Sequence, residues 1–372
     1  MVKSLRNLTA GSRLLLDLLW RHGPLPRARL AEMTGFTRAS ITNIADELLD
    51  RDLLTEQEAE KGRRGQPARP LALRGNAAHA IGISFSTSYG EVGAIDFAGK
   101  LVGTARFAIA EPTPEAIAEA VAPAIADLAA SHQLPSARLL GVGVAIPADF
   151  APDGTALPHA LFPALRGPGL ADRFSAGLNL PVLVENDGRA WAIGERLMGI
   201  GSSWSTFMLV HIGHGVGGGL IIDGKPYYGA WGNAGILGQY YPYGQPRPSG
   251  LDLVETLCNA GIDVRDFDWF DTPSVASESV IHGWTKRVAE QLGGDLARIS
   301  RFFGPEAVIL AGRVPPEVLE GIAAAIDLRR ALGSGDDLPV PVLRASSLGA
   351  AAGVIGAAAV PVLDVLLPAR SR

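Results

Sequence analysis

Cysteine is almost absent from the 372-residue chain, where Cys258 stands alone. A disulfide framework and a zinc site built from cysteines are therefore excluded within it. Long apolar runs are also missing. Residues 14–20 are apolar but interrupted by Asp17, and no small-residue cleavage site follows, so no secretory signal is read there. Residues 348–363, uncharged and rich in Ala and Gly, contain Pro361 and fall short of the roughly 20 residues of a membrane span. These absences lead to the expectation of a cytoplasmic protein with no membrane contact. Charged residues supply only 19% of the chain and hydrophobic ones 47%, enough for two or three domains with cores of their own.

The net charge of -5 conceals an asymmetry. Residues 1–75 hold 13 Lys/Arg against 9 Asp/Glu, net +4, and the remainder holds 20 against 29, net -9. A basic module on an acidic body points to an anionic partner at one end.

Within that module Leu15, Leu18 and Leu19 share the face of a helix over residues 12–20, ended by Gly23-Pro24. Pro26 stands at a first helical position ahead of Leu30-Ala31, and Gly35 closes this second helix. Thr37 can cap a third, with Ile41, Ile44, Ala45 and Leu48 facing inward and Ala39, Thr42, Asn43 and Asp46 outward. Two helices joined by Thr34-Gly35-Phe36 predict a helix-turn-helix whose second helix enters a major groove N-terminal end first. Residues 53–55 and 69–73 predict the strands of a wing, its tip at residues 60–67. Arginines flanked by glycines can follow phosphates or a narrow minor groove, and a solvated turn is the plainer reading of the tip. The candidate DNA contacts are Arg38, Ser40, Thr42 and Asn43 on the helix and Arg63 and Arg64 on the wing, against the alternative of ordinary surface residues.

From Ala77 onward strands alternate with helices: strands at residues 80–85, 91–96 and 101–108, an Ala-rich helix at 114–131, and a buried strand at 139–145 ending in Ile146-Pro147. A strand-turn-strand theme returns at residues 200–225, an internal echo. Residues 184–239 carry the densest chemistry. Asn186-Asp187 lies where an apolar strand gives way to a helix starting at Gly188, and the glycine cluster from Gly213 to Gly219 lies between strands at 206–212 and 220–222, with Asp223-Gly224 as a further turn. A glycine turn between strands lets main-chain N–H groups approach a phosphate, and a plain glycine-rich hairpin explains it equally well.

The motifs Val184-Glu185-Asn186-Asp187 with Gly194-Glu195 downstream, and Gly213-His214-Gly215-Val216-Gly217-Gly218-Gly219 followed by Ile221-Ile222-Asp223-Gly224-Lys225, resemble those of the ROK family (repressor, open reading frame, kinase). That family contains bacterial sugar kinases and sugar-responsive repressors, and the basic N-terminal module resembles its xylose- and N-acetylglucosamine-type repressors. The resemblance runs through nearly the whole chain, with weaker matches at residues 141–147, 308–312 and 348–353. It implies an α/β protein, an N-terminal winged helix-turn-helix plus a two-lobed actin-like ATPase fold. The implied domains are residues 1–75 for DNA binding, 76–190 for a first lobe completed by helices at about 345–372, and 191–344 for a second lobe carrying dimer contacts.

Two departures bear on activity. Family kinases end their first strand in an Asp-x-Gly-Gly-Thr loop that organises metal and triphosphate, and the matching residues here are Ser84-Phe85-Ser86-Thr87-Ser88. With Ser84 in place of the carboxylate, the resemblance implies no kinase chemistry and no cofactor. Family members also carry a Gly-Glu-x-Gly-His motif and a cysteine cluster, for sugar hydroxyls and zinc. This chain has Gly235-Ile236-Leu237-Gly238-Gln239 and then residues 240–252 without cysteine, so zinc is not expected, and that loop is expected to be ordered by packing of Tyr240, Tyr241, Pro242 and Tyr243 or else to stay mobile. Asn186-Asp187 remains: in the kinases the Asp takes a proton from the sugar, and here it would serve as a binding residue, unless the pair only caps its helix. Candidate ligand contacts are Asn186, Asp187, Glu195 and Gln239, with His211 and His214 as lesser ones and as core groups otherwise.

The resulting expectation is a transcriptional regulator of repressor type for carbohydrate-related genes. Its partners are double-stranded operator DNA and a sugar or sugar derivative held between the lobes. It works as a homodimer or dimer of dimers. Two alternatives stay open: an active sugar kinase carrying a DNA-binding domain, and a regulator that no longer binds a small ligand.

Overall fold

A computed structural model describes residues 5, 7–58, 69–86, 89–242, 244–264, 275–333 and 339–367. Three helices come first, α1 (Ala10–His22), α2 (Arg27–Thr34) and α3 (Arg38–Asp50). Helix α1 outruns residues 12–20 at both ends, because Thr9 caps it by accepting from Ser12 N–H and because it continues until Gly23 turns to a φ of 72°. Gly35, at 71°, ends α2 in the same way, and Thr37 caps α3. Leu15, Leu30, Ile41, Ala45 and Leu48 are fully buried, whereas Ile44, expected inside, is only half-buried where it lies over Gly11. Strands β1 (Leu54–Glu56) and β2 (Leu71–Leu73) pair antiparallel, and Leu25 bridges to Leu71. The wing tip, Arg63 and Arg64 included, lies outside the described residues.

The chain continues through β3 (His79–Phe85), β4 (Tyr89–Asp96), β5 (Leu101–Ala108), α4 (Pro114–Ser131), β6 (Leu139–Ile146), the short pair β7 (Ala148–Phe150) and β8 (Ala156–Pro158), α5 (Leu170–Leu178) and β9 (Val182–Asn186). Next come α6 (Asp187–Met198), β10 (Phe207–Ile212), β11 (Val216–Ile222), β12 (Lys225–Pro226), α7 (Gly250–Asn259), α8 (Val275–Phe303), β13 (Ala307–Gly312), α9 (Pro316–Ala325), α10 (Leu328–Leu332), β14 (Val342–Ala345) and α11 (Ala352–Leu366). One sheet runs β5-β4-β3-β6-β9 and the other β12-β11-β10-β13-β14. Each is an antiparallel meander of three strands, with a parallel strand added beside the first of them. The echo near residue 200 is thus the start of a second copy of one topology.

Two compact units emerge. The first comprises Met1–Ala145, Gly169–Glu185 and Val354–Arg372, and the second Ile146–Pro168 and Asn186–Gly353. The helix-turn-helix belongs with the first sheet. Trp20 meets Phe97 edge-on at 6.3 Å, Arg13 donates to the carbonyl of Val365, and Arg138 Nη1 donates to Asn76 O at 2.6 Å. Helix α11 lies directly on that sheet: a methyl at Gly82 would come within 2.0 Å of Val354 O, and one at Gly143 within 1.9 Å of Ala357 O. Residues 146–168, expected in the first lobe, pack with the second unit. A contact between residues distant in sequence holds them: Asn233 accepts from Phe150 N–H at 2.9 Å and donates to Phe150 O at 2.6 Å, pinning β7 there. The second core sets Trp284, Val288, Leu292 and Leu296 of α8 with Met208, Val210, Val308 and Leu310 of the sheet. Among the described residues no helix is long and apolar enough to cross a membrane.

Candidate functional site

Two places bring candidate residues together. On α3, Arg38, Thr42 and Asn43 are exposed along one face with Ala39 and Asp46, opposite the buried stripe of Ile41, Ala45 and Leu48. Thr42 Oγ1 donates to Arg38 O at 2.9 Å, which leaves its oxygen as an acceptor. Ser40 is half-buried in the cap, its N–H donating to Thr37 Oγ1 at 3.1 Å and its hydroxyl 2.9 Å from the same atom. It shapes the start of the helix more than it reaches outward.

The second place is a cavity of about 550 Å³ whose walls all belong to the second unit. Asn186 and Asp187 reach it from the start of α6. Asn186 caps that helix by accepting from Arg189 N–H at 3.1 Å, and its amide donates to Ala148 O at 2.9 Å. The capping reading therefore holds for Asn186, and the same bonds fix its orientation at the cavity wall. Asp187 Oδ1 accepts from Gly188 N–H at 2.7 Å. Burial pushes its carboxyl up to about 6, against the opposing pull of that N–H, Arg313 and His159.

His211 Nδ1 lies 3.8 Å from Asp187 Oδ2, and its ring packs on Trp191 at 4.9 Å. Burial, reinforced by Arg313, pushes this imidazole down to about 3, so at neutral pH it is uncharged and the contact is no ion pair. Its Nε2 is buried without a hydrogen-bond partner among the described residues. His214 lies outside this cavity, packed edge-on against Phe162 at 5.8 Å.

Glu195 does not reach the cavity. It is fully buried two turns further along α6, accepting from Ser346 Oγ and, at 3.3 Å, from Gly201 N–H, and burial raises its pKa. Gln239 is exposed at the rim, in the short turn Gly238–Tyr240, and Ile236 lines the wall nearby. Of the four residues expected to order the cysteine-free loop, Tyr241 packs, its hydroxyl donating to Asp295 Oδ2 at 2.8 Å, while Tyr240 and Pro242 are exposed and Tyr243 lies outside the described residues. Among the described residues no three His, Cys, Asp or Glu side chains are placed to hold a metal.

The glycine cluster differs from the expected turn. The turn is residues 213–215, while Gly217, Gly218 and Gly219 lie inside β11 opposite His211, Val210 and Leu209. They let α6 approach the strand backbone: a methyl at Gly188 would stand 2.7 Å from Gly218 N, and one at Gly219 2.8 Å from Ala192 Cβ. Three further wall residues went unread in the sequence, Asp149, His159 and Arg247. Burial and then Asp187 raise the Asp149 carboxyl, while burial and then Arg247 lower the His159 imidazole. Arg247 is buried and donates from Nη2 to Gly238 O at 3.2 Å. An acid just past the end of the buried strand β6 was a usable signal for Asp149, since α/β folds keep ligands at such ends.

The ROK family model matches residues 80–258, and the MarR family model matches residues 8–65. Protein y4fQ of Sinorhizobium fredii (strain NBRC 101917 / NGR234) is 36% identical over 96% of this chain and 92% of its own. The DNA-binding transcriptional dual regulator NagC of Escherichia coli (strain K12) is 24% identical over 87% of this chain and 86% of its own. Among solved structures, a ROK family transcriptional regulator described as a homolog of the E. coli MLC protein superposes with a TM-score of 0.67 at 21% identity, covering 96% of this chain and 97% of that one. With its doubled sheet topology, its Asn186-Asp187 pair at a cavity wall and these similarities, the chain belongs to the ROK family.

Proposed function

We propose that this ROK protein is a DNA-binding transcriptional regulator of repressor type, which holds a sugar or sugar derivative in the second unit's cavity and does not transfer phosphate. The observation that carries the reading is α3: a capped helix with one face buried and Arg38, Thr42 and Asn43 presented on the other, in the position of a recognition helix. An Arg at such a place can grip guanine and an Asn adenine, each by two bonds. Arg63 and Arg64 would add phosphate or minor-groove contacts from the wing. A homodimer on a pseudo-palindrome, in the cytoplasm, fits the few base pairs that one such helix reads. NagC, similar over most of its length, is by name a DNA-binding transcriptional dual regulator.

For the effector, Asn186 and Asp187 offer donor and acceptor groups suited to hydroxyls, with Gln239 at the rim; Glu195 drops out because Ser346 and Gly201 occupy it. Strand β3 ends in Ser84-Phe85, both buried, where a family kinase would need a carboxylate for metal and nucleotide. An effector can change DNA affinity only as far as it prefers one of two forms of the protein.

The test uses the full chain. Selection from a random-sequence duplex pool is expected to enrich a motif with two related halves, and at least one member of a panel of sugars, sugar acids and sugar phosphates is expected to raise the melting temperature and alter binding to that motif. No enrichment would sink the DNA-binding reading, and no response to any panel member would favour a regulator without a ligand. Sugar-dependent ADP release in a coupled assay would instead establish the kinase reading.

A further inference from the structure

One guanidinium joins the recognition helix to the wing. Arg27, the first residue of α2, donates from Nη2 to Asp46 Oδ1 on α3 at 3.1 Å and from Nη1 to Glu56 Oε1 on β1 at 2.5 Å. Arg69, just ahead of β2, places Nη1 3.7 Å from Glu56 Oε2. Two residues before Arg27, Leu25 exchanges both backbone hydrogen bonds with Leu71 of β2, at 3.0 and 2.8 Å. Residues 25–27 therefore tie the entry of α2 to the recognition helix and to both wing strands.

Ion pairs as exposed as these add little to folding stability. What a planar fork supplies is geometry, because two acceptors on different elements must lie in its plane to be held together. The Asp46 carboxylate also lies on the same exposed face as Arg38, Thr42 and Asn43, where an uncompensated negative charge would repel DNA phosphates. The Arg27 guanidinium compensates it and anchors it to the wing base.

Resting on the DNA-binding reading above, we propose that Arg27 is a positioning residue: it sets the angle between recognition helix and wing, and so the discrimination between operator and other DNA, without contacting DNA. Phosphate contacts fix register, whereas base contacts carry sequence information. A change in that angle therefore costs discrimination before it costs general affinity.

Fluorescence anisotropy with the full chain reads both quantities across a salt series, on the duplex that the wild type enriches and on one from the unselected pool. Arg27→Gln is expected to lower the ratio of the two affinities by about tenfold, the size of one lost base contact. The slope of log affinity against log salt on the unselected duplex should not change. Glu56→Ala, which removes the partner on the wing strand and takes away no cation, is expected to lower the ratio too. A slope shallower by about 0.9 on both duplexes, with the ratio intact, would make Arg27 a phosphate ligand and overturn the proposal. An unchanged ratio in both variants overturns it as well. If circular dichroism shows that Arg27→Gln does not fold, Glu56→Ala decides alone: a lower ratio supports the proposal and an unchanged one ends it. Failure of the wild type to enrich any duplex would count against DNA binding itself, a different result from enrichment without dependence on Arg27.

Discussion

Asp187 keeps an ionisable carboxyl where its charge is poorly solvated, with Asp149 on the same wall, a neutral His211 at 3.8 Å, and Arg313 and His159 as the opposing positive influences. Its folded pKa of about 6 lies above the ordinary 3.8, so between those values the folded chain holds a proton that the unfolded chain releases. The stabilisation given by the neutral form is complete below about pH 4 and is lost as pH rises through about 6. Asp187→Asn keeps an acceptor for Gly188 N–H and carries no charge. It is expected to stabilise the chain at pH 8 by at most about 3 kcal/mol and to change little at pH 4. Urea unfolding at the two pH values checks this, and an equal shift at both would mean that the carboxyl's charge is not the cause. The Asn186-Asp187 pair was legible in the sequence because its chemistry is local: a polar pair at a strand-to-helix junction. Asp149, His159 and Arg247 were not, because a short hairpin and a proline-rich loop carry them to the wall through tertiary contacts such as that of Asn233 with Phe150.

At the scale of elements, the packing of α6 on β11 accounts for the glycines that first suggest a phosphate loop. Gly219→Ala would drive a methyl to 2.8 Å from Ala192 Cβ and 2.9 Å from Arg189 Cα, an overpacking expected to cost about 1–3 kcal/mol. Gly217→Ala meets only Asp187 Oδ1 at 3.9 Å and is expected to stay within about 0.5 kcal/mol of wild type. Denaturant midpoints of the two variants separate the cases, and similar midpoints would remove the packing account. Element types followed from the sequence because capping residues, glycine stops and apolar spacing act over a few residues, as at Thr37, Gly35 and Ile41. The placement of Gly217–Gly219 inside a strand did not, since glycine signals a turn unless the neighbouring helix is known to lie within a methyl's reach.

Across the whole molecule, the DNA-binding helices are less separable than a boundary at residue 75 suggests. Trp20 covers the buried Phe97, and Arg13 satisfies the carbonyl of Val365. A chain beginning at residue 76 is expected to melt several degrees below the full chain and to self-associate through the bared apolar surface. Equal melting temperatures in calorimetry would show that residues 1–75 form an independent domain. Effector screens are accordingly better made on the full chain. The doubled sheet topology was visible in the sequence as an echo, whereas the crossing of residues 146–168 to the second unit depends on a contact with Asn233 far along the chain.

Helix α11 sits on Gly82 and Gly143 from far downstream in the polypeptide. As the chain is synthesised, β3 and β6 emerge long before the helix that covers them, so the first sheet waits, one face bare, until translation has passed Leu366. The unit to which the DNA-reading helices are attached is thus the last to be finished. A chain ended prematurely between β14 and α11 would have its cavity residues but no completed support for the unit that carries α3.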